Sequence, residues 1–504
     1  MRPTLRSSSL ALPALVAVAV LGALQGQANA AGFTVTNTGD LPDIAPGNGI
    51  CRTIVGFCSL RAAVMEANAL AGADTITIPA GTGTISLNTT GVLENAAATG
   101  DLDITSTLTI VGNGVAIDGV SSDRIFHVLT GATADISGVT LQHGWGDLVG
   151  GAIYNQGDLT LSSCIVTENA AINEGGGIKN ITPGSMTMTA CEVYDNEADW
   201  GGGIYSNTDL VIADSSIYFN DAGLHGGGLF NNAIADVTNT YFGGNTAGER
   251  GGGVATFDLL NLTDCTIELN IAGTYGGGLY MYTEDAVVDA YRTDFIANFA
   301  TDGGGMQNFW GDLTLRQVGV WDNVATGNGG GIDNQGIMLV KRTAIYDNAA
   351  AAGGGIRNYW SHADATLENV TVSGNAATGT GGGIYASSSS LADLNNVTLA
   401  NNTGTTGGVS VSGTMTMTNT VVGDNLDLGG AASDCSGGFT SSGYNLVESV
   451  GACVIGGPAT ADTYGVGPGL DALAFNGGRT PTHAPPTTNW RPRWGCRPVP
   501  RSGA

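Results

Sequence analysis

Eleven times between Gly150 and Val409 the chain writes two or three glycines (once Gly-Gly-Ala), then an aliphatic residue, and closes on an Asn 18–22 residues after the opening glycine. The openings are Gly150, Gly175, Gly201, Gly226, Gly251, Gly276, Gly303, Gly329, Gly353, Gly381 and Gly407, spaced 24–28 residues apart. The closing residues run from Asn169 through Asn196, Asn220, Asn245, Asn270, Asn298, Asn323, Asn348, Asn375 and Asn402 to Asn425. A period that steady means stacked copies of one supersecondary unit, each burying its apolar face only against its neighbours.

The pattern inside one period is strand-like. The third residue before each Asn is apolar, as at Val166, Ile217, Phe242, Phe295 and Val372. Eight and ten positions before it the residues are apolar again (Leu161 with Leu159, Leu262 with Leu260, Leu315 with Leu313), which is alternation of period two. A third short strand starts at the aliphatic residue after the glycines. Three short strands in about 25 residues, without helix-forming segments, predict an all-β, parallel β-helix with three sheets and coils about 4.8 Å apart. The aligned asparagines are expected to form a side-chain amide ladder, with a second, partial ladder at Asn155, Asn180, Asn231, Asn308, Asn334 and Asn358.

Less regular coils are expected from Asp74 to Gly144. Before them, Ser59 to Leu70 reads as a short helix presenting Leu60, Val64, Ala67 and Ala71 on one face. Such a helix would cap the open end of the stack.

Net charge and address follow from composition. Seventeen basic residues against 44 acidic give −27, leaving no cation excess to neutralise phosphates, so nucleic acid is excluded as a partner. Arg2 and Arg6, the apolar stretch Leu10–Leu24 and Ala28-Asn29-Ala30 form a signal-peptide pattern over 1–30, and no later segment is long enough to span a membrane as a helix. The expected location is therefore secreted or at the cell surface, outer membrane-associated or extracellular. Eight cysteines suit an oxidising compartment. Cys51/Cys58 and Cys435/Cys453 are close enough to close loops at either end, whereas Cys164, Cys191 and Cys265 share one inward coil position. Cys164 and Cys191, one coil apart, could bridge but read better as small core residues.

These residues resemble known families. The glycine openings with Phe242-Gly243-Gly244-Asn245 and Phe295-Ile296-Ala297-Asn298 resemble the repeats of bacterial polymorphic outer membrane proteins. The segment CSLRAAVMEANA at 58–69 is similar to the Cys-Ser-Leu-Arg-Glu-Ala motif of secreted right-handed β-helix proteins of the pectin-lyase-like type, which implies a right-handed parallel β-helix. Ala62 stands in place of Glu and removes half of a capping box. Asp434–His483 resembles the C-terminal module of surface proteins with a choice of anchors. The implied organisation is a signal peptide (1–30), an N-terminal cap (31–73), a β-helix (74–425), an anchor-type module (426–483) and an atypical basic tail (484–504). From Arg479 onward there are five Arg and no acid, whereas 31–478 hold ten basic and 44 acidic residues, so the ending reads as frame-shifted or truncated, the alternative being a genuine basic tail.

The resemblance implies an adhesin-like or structural surface protein, with glycans or other cell-surface components as partners and no sign of oligomerisation. The alternative is a polysaccharide lyase or hydrolase acting on an acidic polysaccharide. Its substrate-binding candidates are Arg292, Arg316, Lys341 and Arg342 on one turn of successive coils, with Trp310 and Trp360 to stack on sugar rings. The competing and favoured reading is that the cations pair with Asp289, Asp294 and other outward acids and that the tryptophans cover edge backbone. No cofactor or metal is implied; Ca²⁺ enters only under the lyase reading. Outward Tyr154, Tyr205, Phe230, Tyr280 and Tyr385 form a broken aromatic stripe. Acid pairs such as Glu168 with Asp195 and Asp322 with Asp347 read as turn chemistry, and His127, His143, His225, His362 and His483 share no coil position.

Overall fold

A computed structural model describes residues 30–91 and 94–485; the signal-peptide pattern, the end of the basic tail and Cys496 lie outside the described residues. The chain winds into a parallel β-solenoid of about 14 turns with, among the described residues, a single ten-residue helix, as expected of a right-handed parallel β-helix. One coil shows the plan. Val254–Thr256, Leu260–Thr263 and Thr266–Glu268 are its three anticipated strands, and they pair in parallel with the next coil at Val254↔Leu279, Leu260↔Val288 and Ile267↔Phe295. The inward members are buried and join one continuous core running from Phe33 to Val447.

A fourth strand per coil was not anticipated. Directly after the ladder asparagines from Asn169 to Asn375 a two- to five-residue strand forms, as at Ile271–Ala272, and with Trp145–Gly146 one coil earlier ten of these stack as far as Ala376–Ala377. Two residues are too short to show alternation, so periodicity could not reveal it.

The opening glycines are dictated by close approach. Gly251 sits at φ +64, and a Cβ on Gly252 would stand 2.4 Å from the carbonyl oxygen of Ile271 and 2.6 Å from that of Gly277. Neither backbone atom can move without unpicking its own ladder.

The asparagine ladder forms and is buried. Asn270 Nδ2 donates to Asn298 Oδ1 (3.0 Å) and to the carbonyl of Phe242 (3.0 Å), while its backbone N–H reaches the same Asn298 Oδ1 (3.0 Å). The pattern repeats coil after coil and ends on Asp434, whose carboxylate takes the last amide, from Asn425, at 2.8 Å. The residue before each Asn, including Glu168, Asp195, Asp322 and Asp347, has φ near +55, so those acids occupy a left-handed turn position. The second ladder runs Asn155–Asn180–Ser206, Asn231–Thr256 and Asn308–Asn334–Asn358.

The irregular coils obey the same register: Ile76, Ile110, Ile136 and Leu161 stack on one another. Stacking also continues past Asn425, with Cys435–Gly443 pairing with Val409–Val411. The disulfides Cys51–Cys58 and Cys435–Cys453 form, and Cys164, Cys191 and Cys265 are free and buried.

The cap helix spans Leu60–Ala69, with Ser59 Oγ accepting from the Ala62 N–H (3.0 Å). It buries Leu60, Val64 and Ala67, but Ala71 lies beyond its end and is exposed. Arg61, fully buried, spends all five guanidinium donors: two on the Asp40 carboxylate (2.7 and 3.2 Å) and three on the carbonyls of Ala97, Gly100 and Asp101. The cap is thereby clamped onto the loop that leads into the first coil.

Candidate functional site

The outward residue of each first strand stacks into a single strip along the solenoid. In register it reads Asp103, His127, Tyr154, Lys179, Tyr205, Phe230, Ala255, Tyr280, Gln307, Asp333, Arg357, Tyr385 and Ser410. The turns on either side rise above it, so most of these outward side chains are buried. The broken aromatic stripe anticipated from the sequence is the middle of this strip.

Around the middle coils the strip is roofed by a ribbon of rings. Tyr205 stacks on Phe230 (5.1 Å between centroids) and Phe230 meets Phe257 edge-on (5.0 Å). The ribbon continues along the turn after the first strand, from Phe257 to Tyr282 (4.8 Å), Phe309 (6.1 Å) and Trp310 (5.2 Å). Cations lie over the rings: Lys179 over Tyr154 and Tyr205, Arg250 over Tyr275, Tyr280 and Tyr282, and Arg357 over Tyr359. Arg357 is also held by two hydrogen bonds to the fully buried Asp333.

Two tryptophans end up in solvent here. Trp310 is 39% and Trp360 43% exposed, with φ of +80 and +90. A bulky residue in that region is a strained choice, costing on the order of 1–3 kcal/mol. Trp310 faces His362 at 6.2 Å across a slot of about 140 Å³ that Glu284 and Ile337 also line.

The basic cluster fares differently. Arg316 and Lys341 are register neighbours on the second strand, while Arg292 and Arg342 take a left-handed turn position just beyond it. Arg292 pairs with Asp264, Arg316 with Asp289, and Lys341 with Glu368 at 3.0 Å. The C-terminal arm then folds back over this turn. Arg479 pairs with Asp294 and donates to the carbonyls of Gln317 and Arg292, and Thr480 Oγ1 donates to that of Arg342 (3.2 Å). Trp310 precedes the strand Asp312–Arg316 and Arg316 ends it, so tryptophans and cations sit at opposite ends of one strand. The structure brings the two tryptophans to one turn and the four cations to another; it does not unite them in a single groove.

The amino-terminal end of the strip opens into a cleft of about 350 Å³ lined by Glu94, Asp101, Asp123, Arg124, His127, Asp147 and Tyr154. His127 Nδ1 lies 3.1 Å from the buried Asp103 carboxylate and Nε2 lies 3.1 Å from Gln156 Oε1. Gln156 Nε2 donates in turn to the Tyr154 hydroxyl (3.1 Å), and the Tyr154 ring stacks on His127 (5.1 Å). Both ring nitrogens of His127 therefore face side-chain oxygens. Asp101 is 8% exposed, and burial together with Asp103 pushes its carboxyl up to about 7, against the pull of Arg124. Asp123 is also raised by burial, and Arg124 opposes the rise. Burial likewise raises the Tyr154 hydroxyl. Ligand-type atoms of Asp101, Asp103 and His127 lie within 4.8 Å of one another, but Asp103 is committed to His127 and to the Ala97 N–H (3.0 Å).

No family model and no curated protein matches the chain. Two solved structures are similar: the A-modules of the Azotobacter vinelandii mannuronan C-5 epimerases AlgE6 and AlgE4, each 14% identical with a TM-score of 0.21. The matches cover 81% and 86% of this chain and 92% and 98% of those chains. At that TM-score the likeness carries no argument about chemistry.

Sequence reasoning missed this cleft. Its members are scattered over 94–154 in coils without the repeat, and only their register brings them together. The available signal was that Asp103 and His127 hold, in their own coils, the slot that Tyr154 holds after Ile153.

Proposed function

We propose that the protein is an exported, adhesin-like β-helix that binds a polysaccharide chain along the turn after its first strands, on the exposed rings of Trp310 and Trp360 and the ribbon leading to them. One observation carries the reading: two tryptophans two coils apart, about 10 Å by strand spacing, are held in solvent in backbone conformations that tryptophan disfavours. Strain persists where the surroundings enforce it, and here it buries neither ring. Flat aromatic faces flanked by hydrogen-bonding groups suit sugar rings.

Action outside the cell is supported by the signal-peptide pattern and by two disulfides at the ends of the solenoid. Among the described residues no helix is long and apolar enough to cross a membrane.

A glycan array followed by tryptophan-fluorescence titration of the best ligand tests the proposal. Replacing Trp310 and Trp360 together by Gly removes the rings and relieves the backbone. Stacking is worth roughly 1 kcal/mol per ring, so the double variant should bind about 10- to 30-fold more weakly while melting no lower. Unchanged affinity, or an array without hits, would refute the assignment.

A further inference from the structure

We propose that the cleft at the amino-terminal end of the strip is a glycosidase centre acting on a neutral polysaccharide, with Asp101 as general acid and Asp123 as general base. The proposal rests on the glycan reading above but places chemistry at a different site. From His127 the strip reaches Ala255 after five coils, about 24 Å along one face at strand spacing. A single extended chain can therefore meet the ribbon and the cleft together.

The cleft is singular. Every other acid-rich row is written once per coil as turn chemistry, whereas here acid, imidazole, guanidinium and phenol converge on one cavity of ligand size. Asp101 is buried, with its side chain 11% exposed, lines the cavity and accepts no hydrogen bond from any described side chain or backbone group. Its one partner is Arg124 Nε at 3.2 Å. That Nε is itself shielded from water and makes no hydrogen bond among the described residues. The pair is poised rather than satisfied. A carboxyl that keeps its proton near neutral pH is suited to protonate a leaving oxygen.

The other carboxylates are less suited to act as base. Asp103 is buried behind His127 with its oxygens taken. Glu94 accepts the backbone N–H groups of Ala96 (2.8 Å) and Thr99 (2.7 Å), and Asp147 is exposed on the rim. Asp123 is half-buried beside Arg124, which favours its ionised form.

In the reaction, Asp101 gives its proton to the bridging glycosidic oxygen as the bond from that oxygen to the anomeric carbon breaks. Asp123 takes a proton from a water whose oxygen bonds to the same carbon. One water is consumed, and one shorter chain carries a new reducing end. Arg61 is a positioning residue, because it grips the Asp101 carbonyl from the cap (3.2 Å). Charge selects the substrate: with Asp101 holding its proton, Glu94, Asp123 and Asp147 against Arg124 still leave the cleft acidic, so a polyuronate would enter against repulsion and a neutral chain would not.

The full secreted chain should be incubated with a panel of neutral polysaccharides and of polyuronates, scoring reducing ends, unsaturated products and retention on glycan-bearing gel separately. New reducing ends from a neutral glycan are expected. Their rate should fall at least 100-fold in Asp101→Asn and Asp123→Asn, with gel retention and thermal melting preserved. Asp101→Glu, which restores an acid, should recover part of the rate. The wild-type rate should also decline as pH rises through about 7. Retention without any cleavage would sink the catalytic proposal and leave the binding site standing. Cleavage indifferent to Trp310 and Trp360 would do the reverse. Unsaturated products, or full activity in Asp101→Asn, would overturn the acid and base roles of the two aspartates.

Discussion

The regular coils from Gly150 to Asn425 and the irregular ones from Ala73 to Gly144 share one register and one core, yet they use polar residues in opposite ways. In the regular coils each buried amide does the same thing as the one above it. Asn298 donates to Asn323 Oδ1 as Asn323 does to Asn348, each at 2.9 Å. In the cap and the irregular coils buried polar groups have individual partners: Arg61 with Asp40, Glu66 with the Gly47 N–H (2.7 Å), and Asp103 with His127. Repetition yields a scaffold in which no rung is special. The acidic cleft lies where the repeat gives way, and there successive coils place Asp103, His127 and Tyr154 in one slot.

The sharpest way to break the comparison is to ask what a single rung tolerates. Gly252→Ala puts a Cβ against the carbonyl oxygens of Ile271 and Gly277, both fixed by parallel ladders. A loss of about 4 kcal/mol or more is expected, since the clash is with backbone that cannot repack. Denaturant melts of purified protein would measure it. A variant within 1 kcal/mol of wild type would mean that the glycine triplets are dispensable.

Arg61→Met asks the same of the irregular end. It leaves Asp40 as a buried, unpaired carboxylate and orphans three carbonyls, for an expected cost of roughly 3–5 kcal/mol. The loss should be local, raising proteolysis and amide exchange around 97–101 and leaving the coils past Gly150 protected. Uniform loss of protection along the whole rod would show that the cap and the regular coils melt as one unit.

That contrast also explains what could be read from the chain. The three main strands, the inward slots at Val166 or Phe295 and the asparagine ladder were legible because each is written many times at fixed spacing. The fourth strand was not, being mostly two residues long. Arg61 was invisible for another reason: attention fell on its neighbour Ala62, and nothing local predicts that Asp40, Ala97 and Gly100 converge on one guanidinium. The basic cluster looked like a site because its cations share a turn. Ion pairing with Asp289, Asp294 and other outward acids is the competing reading, and Asp264, Asp289 and Glu368 do pair with three of the cations. Counting could not show that Arg479 returns from the far end of the chain to lie across the turn and take Asp294.

The smallest effect lies at the seam between the two regions. His143 Nδ1 holds Asp118 (2.9 Å) in the irregular coil below, and Nε2 holds Glu168 (2.6 Å) in the first regular coil above. The Asp118 hydrogen bond, helped by Glu168, raises the imidazole above its ordinary value despite some burial. A raised histidine favours the folded state fully below about 6.5 and loses that contribution as pH climbs through the folded value. The ring is 40% exposed, so screening leaves about half a kcal/mol or less. Asp101 runs in the same direction on its own account, because a carboxyl raised to about 7 also costs stability as pH rises toward that value. The informative quantity is therefore a difference. Between pH 6 and 8.5 the melting temperature of wild type should drop slightly more than that of His143→Gln. Parallel pH curves for the two proteins would show that the clasp at the seam contributes nothing to holding the regions together.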